Sequence, residues 1–416
     1  MRIRTGIALV VLGAVLAALP GCQGGQVLPG EGAARGGAWS AERGEDTPVE
    51  PQPADEPLTR EETAQILEET MAEESAMGVS VAVIEGGEPG ASSAWGWAVR
   101  DAQAMTVDTK VRVASLSKVA VGMCALAMEE EGLLDLEAPL GAYWGEAVRD
   151  PYAQTQPSAA SLMSHSSAVK DFAITRGLPT LTKMLSKPSA WRGVEPGSPE
   201  AWYYSNFGIC VLGTTLELAS GQLLDDYLQT RFFQPMGVRA SFYAGRLETE
   251  EVAALYGSTG VVQRTREQQT GQEIPTETGM GASYYPGGLT ISAADLAKLV
   301  AILANDGEYQ GETYLSPESV AAMETVQFAV SQEGTAPFDQ CLILRRQDGL
   351  LGRNQLYYHT GSAYGVYSLL SYDPDTGDGV VVITSGAPWE VDDRGLYGLC
   401  ARLSEKLYAA MEEHEI

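Results

Sequence analysis

Histidine is scarce in this sequence: the three histidines among 416 residues are His165, His359 and His414. None stands in the H-x-x-x-H or H-E-x-x-H spacing that lets two imidazoles on one helical face hold a catalytic zinc ion. G-x-S-x-G is also absent, and with it the turn that presents the serine of many Ser-His-Asp hydrolases. The sequence therefore predicts neither a metal nor another cofactor.

Positive charge is also in short supply. The chain has 27 lysines and arginines against 55 aspartates and glutamates, a formal net charge of −28. Binding to a phosphate backbone needs a basic face, so nucleic acid is excluded as a partner. An acidic surface otherwise favours solubility and says little about chemistry.

Long apolar runs are missing as well. The N-terminal run over residues 6–19 is too short for a membrane-spanning helix, which needs about 20 residues, and it follows Arg2 and Arg4 as in a secretion signal. The signal ends in Leu19-Pro20-Gly21-Cys22, which resembles a bacterial lipobox. That resemblance implies cleavage before Cys22, lipidation of its thiol and anchoring to the outer face of the cytoplasmic membrane. Plain secretion is the alternative.

Residues 23–57 have almost no large apolar side chains and cannot bury enough surface to fold. We interpret them as a flexible tether between the signal (residues 1–22) and a folded domain over residues 58–412. Thr59, with Glu62 three residues later, is a capping-box pattern that predicts a helix extending to about Ala76.

Apolar patterns place strands at both ends of this domain and helices between them. The predicted strands cover residues 79–84, 93–99, 341–344, 366–372 and 379–384. Predicted helices cover residues 208–218, 223–233, 293–305 and 394–411. The pattern predicts an α+β fold in which one antiparallel sheet is built from residues 58–114 and 286–412. Residues 115–285 form an inserted helical lobe.

Four cysteines remain after Cys22, and each lies in an apolar stretch. They are Cys124, Cys210, Cys341 and Cys400. Outside the cell they could pair in three ways, and they equally suit buried free thiols. The sequence leaves this choice open.

Ser115-Leu116-Ser117-Lys118 stands where a short apolar strand gives way to an apolar helix over residues 119–128. On a helix, a serine and a lysine three residues apart are separated by about 60° around the axis and roughly 4.5 Å along it, so both can point into one cleft. Ser167 and Lys170 repeat the spacing, but no apolar helix follows them. We therefore predict Ser115 as a nucleophile activated by the amine of Lys118.

Two further motifs follow. Tyr204 is the one tyrosine among eighteen with an asparagine two residues later, in Tyr204-Ser205-Asn206, and His359-Thr360-Gly361 is the third motif. In this order the three motifs resemble those of the serine β-lactamase and penicillin-binding-protein superfamily, in its class C-like branch. Segments 162–167, 234–237 and 287–296 also resemble that family, so the likeness runs from Leu58 to the C-terminus. It implies a β-lactamase/transpeptidase-like fold.

The resemblance implies roles for particular residues. Lys118 and Tyr204 would supply the base for Ser115, and because both have ordinary pKa values near 10, each must be tuned by the other. Which of the two takes the first proton stays open. The backbone N–H groups of Ser115 and Ser362 would hold the oxyanion.

By the same resemblance, the remaining motif residues would bind the substrate. Asn206 would hold the substrate's acyl-side amide, and Thr360 its carboxylate. Gly361 would let the substrate lie close to the strand. His165, in a segment that resembles a turn shaping the cleft, is interpreted as structural.

Substrate choice depends on His359, which stands where many β-lactamases have lysine and which is mostly neutral at pH 7 when unperturbed. Leu344-Arg345-Arg346 is similar to a segment of some D-Ala-D-Ala carboxypeptidases whose first arginine meets the terminal carboxylate of the peptide. Only one of Arg345 and Arg346 can face the cleft from a strand, and the resemblance implies that it is the first of them, Arg345. Two solvated arginines are the alternative.

We therefore expect an exported serine hydrolase that forms an acyl-serine intermediate on cell-wall-type amides. Carboxypeptidase-like or β-lactamase-like action is the main prediction, and an esterase or D-aminopeptidase is the alternative. The alternative from another functional class is a penicillin-binding sensor that is acylated but does not turn over. The expected partner is a small molecule or peptidoglycan peptide, and the oligomeric state stays open.

Overall fold

The computed structural model of the protein describes residues 57–332 and 334–414. The predicted signal with Cys22, and all of the tether but Pro57, lie outside the described residues.

The strands and helices are numbered here in chain order. The strands are β1 (Gly78–Glu85), β2 (Glu88–Val99), β3 (Gln103–Ala104), β4 (Val111–Arg112), β5 (Leu255–Tyr256), β6 (Val262–Arg264), β7 (Thr290–Ile291), β8 (Glu308–Tyr309), β9 (Glu312–Thr313), β10 (Phe328–Val330), β11 (Phe338–Gln340), β12 (Arg345–Asp348), β13 (Gln355–Ala363), β14 (Val366–Tyr372) and β15 (Gly379–Ser385). The α-helices are α1 (Arg60–Met71), α2 (Ser117–Glu130), α3 (Gly141–Trp144), α4 (Ala159–Met163), α5 (Leu178–Leu185), α6 (Asn206–Ser220), α7 (Leu224–Leu228), α8 (Arg266–Thr270), α9 (Ala293–Ala304), α10 (Pro317–Glu324) and α11 (Gly398–His414).

Nine of the strands form one antiparallel sheet, in the order β10-β11-β12-β13-β14-β15-β1-β2-β3. The N-terminal and C-terminal parts of the chain join where β1 pairs with β15, from Gly78 opposite Ser385 to Ile84 opposite Gly379. The prediction of one sheet built from both ends of the domain is therefore confirmed. β1 and β15 are rich in β-branched residues, and β1, β14 and β15 are buried on both faces, as central strands covered by helices are.

Two apolar cores lie on opposite faces of this sheet. Successive side chains of β1 enter different cores, because neighbouring side chains of a strand point to opposite faces of the sheet. Val81 lies in the core formed with α1 and α11, and Ala82 lies in the core formed with α9 and the helical lobe. The predicted capping box is present at α1, where Thr59 accepts a hydrogen bond from the N–H of Glu62 and the Glu62 side chain binds back to Thr59.

The helical lobe spans the segment between β4 and β7 and is centred on α2 and α6. Both helices are buried on nearly every side, which explains why their sequences are apolar all round. No single helix in the described part of the chain is long and apolar enough to cross a membrane. Two consecutive helical segments, Asn206–Ser220 and Leu224–Phe233, meet that test together by length and composition alone, and the chain bends by 72° between them.

One predicted strand is wrong. Residues 341–344 form the tight turn between β11 and β12, in which the N–H of Cys341 donates to the carbonyl of Leu344 and Ile343 has a φ of 67°. The run is apolar because the turn is buried against the helical lobe, where Ile343 faces Gly122. An apolar run signals burial, and burial does not require a strand.

Other boundaries also differ from the prediction. Helix α1 ends at Met71, since the residues up to Ala76 offer few apolar side chains to the core. Helix α11 begins at Gly398 because Asp392 accepts bonds from the N–H groups of Arg394 and Leu396 and closes a turn there. The lobe also contains a hairpin, β5–β6, that was not predicted. All four described cysteines are buried free thiols.

Candidate active site

Ser115 lies in a single 3₁₀ turn, Ala114–Leu116, between β4 and α2. Ala114 has a φ of 51°, a left-handed conformation that costs on the order of 1 kcal/mol or more for a residue with a side chain. Ser117 secures the turn, because its Oγ donates to the carbonyl of Ala114 (2.6 Å) and accepts from the N–H of Leu289 (3.0 Å). The turn presents Ser115 at the N-terminal end of α2.

Lys118 is fully buried in the first turn of α2. Its Nζ donates to Ser115 Oγ at 2.9 Å and to the carbonyl of Pro286 at 2.7 Å, and it lies 5.0 Å from the centre of the Tyr204 ring. The structure thus brings the serine, the lysine and the tyrosine of two separate motifs together. The similarly spaced Ser167 is buried in a turn, while Lys170 is exposed.

Tyr204 is surrounded by groups that stabilise its phenolate. Burial raises the pKa of its hydroxyl, but the charge and hydrogen bond of Lys118, a hydrogen bond from Ser115 and the charge of Arg345 outweigh burial, so the pKa lies below its usual value of 10. Tyr204 therefore becomes a base at a lower pH than an ordinary tyrosine. Ser115, Lys118 and Tyr204 share these protons as one coupled system.

Asp171 holds the second motif in place, and sequence analysis missed it. Its Oδ1 accepts from Ser205 Oγ (2.8 Å) and from the N–H of Phe207 (3.1 Å), so it fixes the first turn of α6, which carries Tyr204 just ahead of it. Asn206, the predicted acyl-side contact, is the first residue of α6 and is half-buried. No local pattern connects Asp171 with α6, because the contact bridges more than 30 residues.

The third motif lies on a strand with one open edge. β12 pairs with β13 only from Asp348 opposite Gln355 to Arg345 opposite Tyr358. Beyond that point, no described strand pairs with this edge of β13, while β14 covers the other edge as far as Ala363. An extended substrate can therefore add to β13 along residues 359–363.

Gly361 brings this open edge close to the nucleophile. A Cβ at Gly361 would stand 3.1 Å from the backbone nitrogen of Ser115 and 2.7 Å from the carbonyl oxygen of Val113. Only glycine fits such an approach of two backbones. The next N–H along the strand, that of Ser362, is the second donor expected for an oxyanion.

His359 is buried and uncharged. Burial lowers the pKa of its imidazole well below the usual value, and the positive charges of Lys118 and Arg345 lower it further. Its Nδ1 donates to the carbonyl of Thr360 at 2.7 Å. The first residue of the third motif therefore supplies no cation at neutral pH.

His165 packs directly on the tyrosine of the second motif. Its ring centre lies 4.4 Å from that of Tyr204, and its Nδ1 accepts from the N–H of Ser205 at 3.4 Å. Burial lowers the pKa of His165 well below its usual value, and Lys118 and Arg345 act in the same direction. His165 is thus a neutral packing partner of Tyr204.

Arg345 and Arg346 face different surroundings. Arg346 is ion-paired with Asp339 and Asp348, at 2.8 and 2.9 Å. The guanidinium of Arg345 has no ion pair with a described residue; its Cζ lies 4.4 Å from the centre of the Phe338 ring and 5.8 Å from that of Tyr204. Of the two arginines, Arg345 is therefore the one at the cleft.

Tyr397 is a second site residue that sequence analysis missed. It precedes α11, and its hydroxyl is hydrogen-bonded to the side chain of Ser362, while burial raises its pKa to about 12. Its ring lies 4.8 Å from that of Tyr367, the residue opposite Ser362 on β14. A single tyrosine in a loop gives no local signal of this position.

The comparisons with known proteins agree with this geometry. The Beta-lactamase family matches residues 63–401. The chain is 26% identical over 209 residues to penicillin-binding protein 4* of Bacillus subtilis (strain 168), covering 45% of this chain and 43% of that protein, less than half its length. It is 25% identical over 301 residues to penicillin-binding protein 4 of Amycolatopsis lactamdurans, covering 68% of this chain and 74% of that protein.

Solved structures show the same fold. The octameric penicillin-binding protein homologue from Pyrococcus abyssi has a TM-score of 0.65 at 20% identity, covering 85% of this chain and 77% of that one. D-alanine carboxypeptidase AmpC from Burkholderia cenocepacia has a TM-score of 0.64 at 19% identity, covering 84% and 98%. A class C beta-lactamase mutant has a TM-score of 0.64 at 18% identity, covering 84% and 96%. The predicted α+β, β-lactamase/transpeptidase-like fold is confirmed.

Proposed function

The chain belongs to the Beta-lactamase family of serine hydrolases, and we propose that it is an exported carboxypeptidase that cleaves cell-wall-type D-Ala-D-Ala amides through an acyl-serine intermediate. The observation that carries the proposal is Arg345, a cation without an acidic partner among the described residues, beside Tyr204 at the end of the open edge of β13. A peptide's terminal carboxylate is the group that such an arginine binds well.

In the acylation step, Ser115 Oγ attacks the scissile carbonyl carbon while its proton passes to the Lys118–Tyr204 pair, to which it is already hydrogen-bonded. The carbonyl oxygen becomes an oxyanion and accepts hydrogen bonds from the N–H groups of Ser115 and Ser362. The C–N bond then breaks, and the leaving amine takes the proton held by the pair.

Deacylation follows the same path in reverse with water as the nucleophile. The Lys118–Tyr204 pair takes a proton from water as its oxygen attacks the acyl carbon, and then returns the proton to Ser115 Oγ. The lowered pKa of Tyr204 makes the phenolate available to do so near neutral pH more often than an ordinary tyrosine would be. A β-lactam would acylate Ser115 by the same route.

An esterase or D-aminopeptidase is the second candidate, and the state of His359 favours it. A buried neutral imidazole contributes no charge toward a substrate carboxylate, which a neutral ester would not need. If Arg345 does not bind a carboxylate, this reading takes precedence. Export and lipid anchoring at Cys22 rest on the signal and lipobox pattern alone.

The test combines labelling with a substrate screen. Ser115→Ala should abolish covalent labelling by a fluorescent penicillin, whereas Ser167→Ala, the matched change at the similarly spaced serine, should leave it. The wild-type domain is then assayed on an acylated D-Ala-D-Ala peptide, a chromogenic cephalosporin and a short-chain nitrophenyl ester. Labelling that survives Ser115→Ala, or release of no D-Ala by an enzyme that cleaves the ester, would contradict the proposal.

A further inference from the structure

Two further cations without acidic partners among the described residues, Arg112 and Arg264, lie at the other end of the open edge of β13. Two guanidiniums lie against the ring of Tyr364, just after β13: Arg112 Cζ lies 5.1 Å and Arg264 Cζ 4.3 Å from its centre. No described carboxylate lies within ion-pair distance of either arginine, although acidic residues outnumber basic ones by about two to one in this chain. Tyr364 itself is 38% exposed, so the group is accessible from the surface.

Arg112 and Tyr364 lie in the same chain segments as the nucleophile and the expected oxyanion donor Ser362. Arg112 precedes Ser115 by three residues, so their Cα atoms are within roughly 11 Å of each other, the most that three residues can span. The Nε of Arg112 donates to the carbonyl of Gly287 at 2.7 Å, one residue after Pro286, whose carbonyl binds Lys118. Tyr364 follows Ser362, the expected oxyanion donor, by two residues.

The order of residues along β13 decides which part of the substrate meets these cations. Arg345 stands at the Tyr358 end of the open edge, where the proposed function places the leaving group's carboxylate. A substrate added along the edge passes Gly361 and Ser115, and its acyl portion then extends toward Tyr364. Arg112 and Arg264 therefore lie on the acyl side.

The electrostatic surroundings of Arg112 favour the binding of an anion. Burial lowers the pKa of its guanidinium, and the positive charge of Arg264 lowers it further, while only the two phenols of Tyr364 and Tyr284 act in the opposite direction. Two like charges held against one ring repel each other. A bound carboxylate would relieve that repulsion and could bind a guanidinium through two parallel hydrogen bonds.

We propose that the acyl portion of the substrate carries a carboxylate, bound by Arg112 and Arg264 beside Tyr364. This rests on the proposed acyl-serine function and deepens it: the preferred substrate is anionic at both ends, with the leaving group's carboxylate at Arg345 and the acyl group's carboxylate at the arginine pair. Such specificity runs against the net charge of the protein, −28, which by itself disfavours anions.

The test uses 4-nitrophenyl monoesters of pimelic and suberic acid and the matching esters in which the far carboxylate is a primary amide. At low ionic strength the wild-type enzyme should favour the carboxylate member of at least one pair by about tenfold or more in kcat/KM, the size expected of a hydrogen bond to a charged group. Salt should reduce the preference, because it screens partly exposed charges.

Arg264→Gln should remove the preference by slowing only the carboxylate ester, and Arg264→Lys should keep most of it. Arg266→Gln is the matched control: it removes the same charge two residues away, from an arginine already paired with Glu267. A wild-type preference for the amide esters, or a preference that Arg264→Gln leaves unchanged, would overturn the inference. Equal hydrolysis of both esters would overturn it while leaving the acyl-serine function intact, whereas no hydrolysis and no labelling of Ser115 would remove the proposed function itself.

Discussion

At the scale of single residues, the chemistry of the site depends on which side chains near Tyr204 carry a charge. Two imidazoles lie close to its ring, His165 at 4.4 Å and His359 at 6.4 Å, and burial keeps both uncharged. Lys118 and Arg345 are the groups whose positive charge lowers the pKa of its hydroxyl. Two cations, Lys118 and Arg345, therefore stabilise the phenolate of Tyr204, and neither histidine adds a charge.

Arg345 should therefore influence both the base and the substrate. In Arg345→Gln, the pKa of Tyr204 should rise, since a positive charge is lost, and all substrates should react somewhat more slowly below that pKa. A D-Ala-D-Ala peptide should lose about 1.5–3 kcal/mol more than a neutral nitrophenyl ester, the range for a hydrogen bond to a charged group. The measurement is kcat/KM for both substrates across pH.

Arg346→Gln is the control for this comparison, because Arg346 is already paired with Asp339 and Asp348. It should leave the ratio of peptide to ester activity unchanged. Equal losses on both substrates in Arg345→Gln would show that Arg345 acts through Tyr204 alone, and the esterase or D-aminopeptidase reading would then be preferred.

At the scale of elements, the site is made by the ends of strands and helices. The end of β12 at Arg345 leaves the edge of β13 open, and the 3₁₀ turn before α2 carries the nucleophile. The turn at residues 341–344 reverses the chain so that Arg345 begins β12 beside Tyr358. A strand continuing through those residues would have removed the cleft's open edge.

Helix α10 ends in a half-buried acid, Glu324, that should make stability depend on pH. Burial raises the pKa of Glu324 from 4.5 to about 7, although the hydroxyl of Tyr372 donates to it at 2.8 Å. Between pH 4.5 and about pH 7, the carboxyl of Glu324 is therefore protonated in the folded state and ionised in the unfolded state. The stability contributed by this group is complete below about pH 4.5 and is lost as pH rises through 7.

Glu324→Gln should remove this contribution, so that the free energy of unfolding falls less steeply between pH 5 and pH 8. Urea denaturation followed by circular dichroism at several pH values measures the slope. Glu318→Gln, at an exposed position of the same helix, is the control and should leave the slope as in the wild type. An identical slope in both variants would show that Glu324 is ionised in the folded state over this whole range.

At the scale of the whole molecule, the cleft lies between the helical lobe and a sheet whose strands come from both ends of the domain. β1 pairs with β15 across roughly 300 residues of chain, so the lobe that carries α2 and α6 is closed between the two halves of the sheet. Two cores, one on each face of the sheet, hold the arrangement. The sheet, both cores and the residues of the three motifs all lie in the described part of the chain.

Cys22→Ser should therefore release an active protein from the membrane. If the thiol of Cys22 is lipidated, its loss removes the anchor, and residues 23–57 separate that anchor from the domain. Fractionation followed by labelling with a fluorescent penicillin measures both location and activity. A variant that stays with the membrane after a salt and carbonate wash would show another attachment and contradict the lipobox interpretation.

The sequence by itself determined the features that depend on neighbours in the chain. Thr59 and Glu62 form the predicted capping box, and β14 covers residues 366–372 as predicted. These could be read locally, because a cap needs a partner three residues away and a buried strand needs only its own apolar side chains.

Only the tertiary structure decided the features that depend on contacts between distant residues. Lys118 meets Pro286 across 168 positions, and Asp171 fixes Ser205 across 34. Only the structure shows that Asp339 and Asp348 neutralise Arg346 and that Arg345 has no ion pair with a described residue. Arg112, Arg264 and Tyr364 likewise come from three separate segments of the chain. Charge compensation and open strand edges are properties of the folded surroundings, and no periodicity in the chain encodes them.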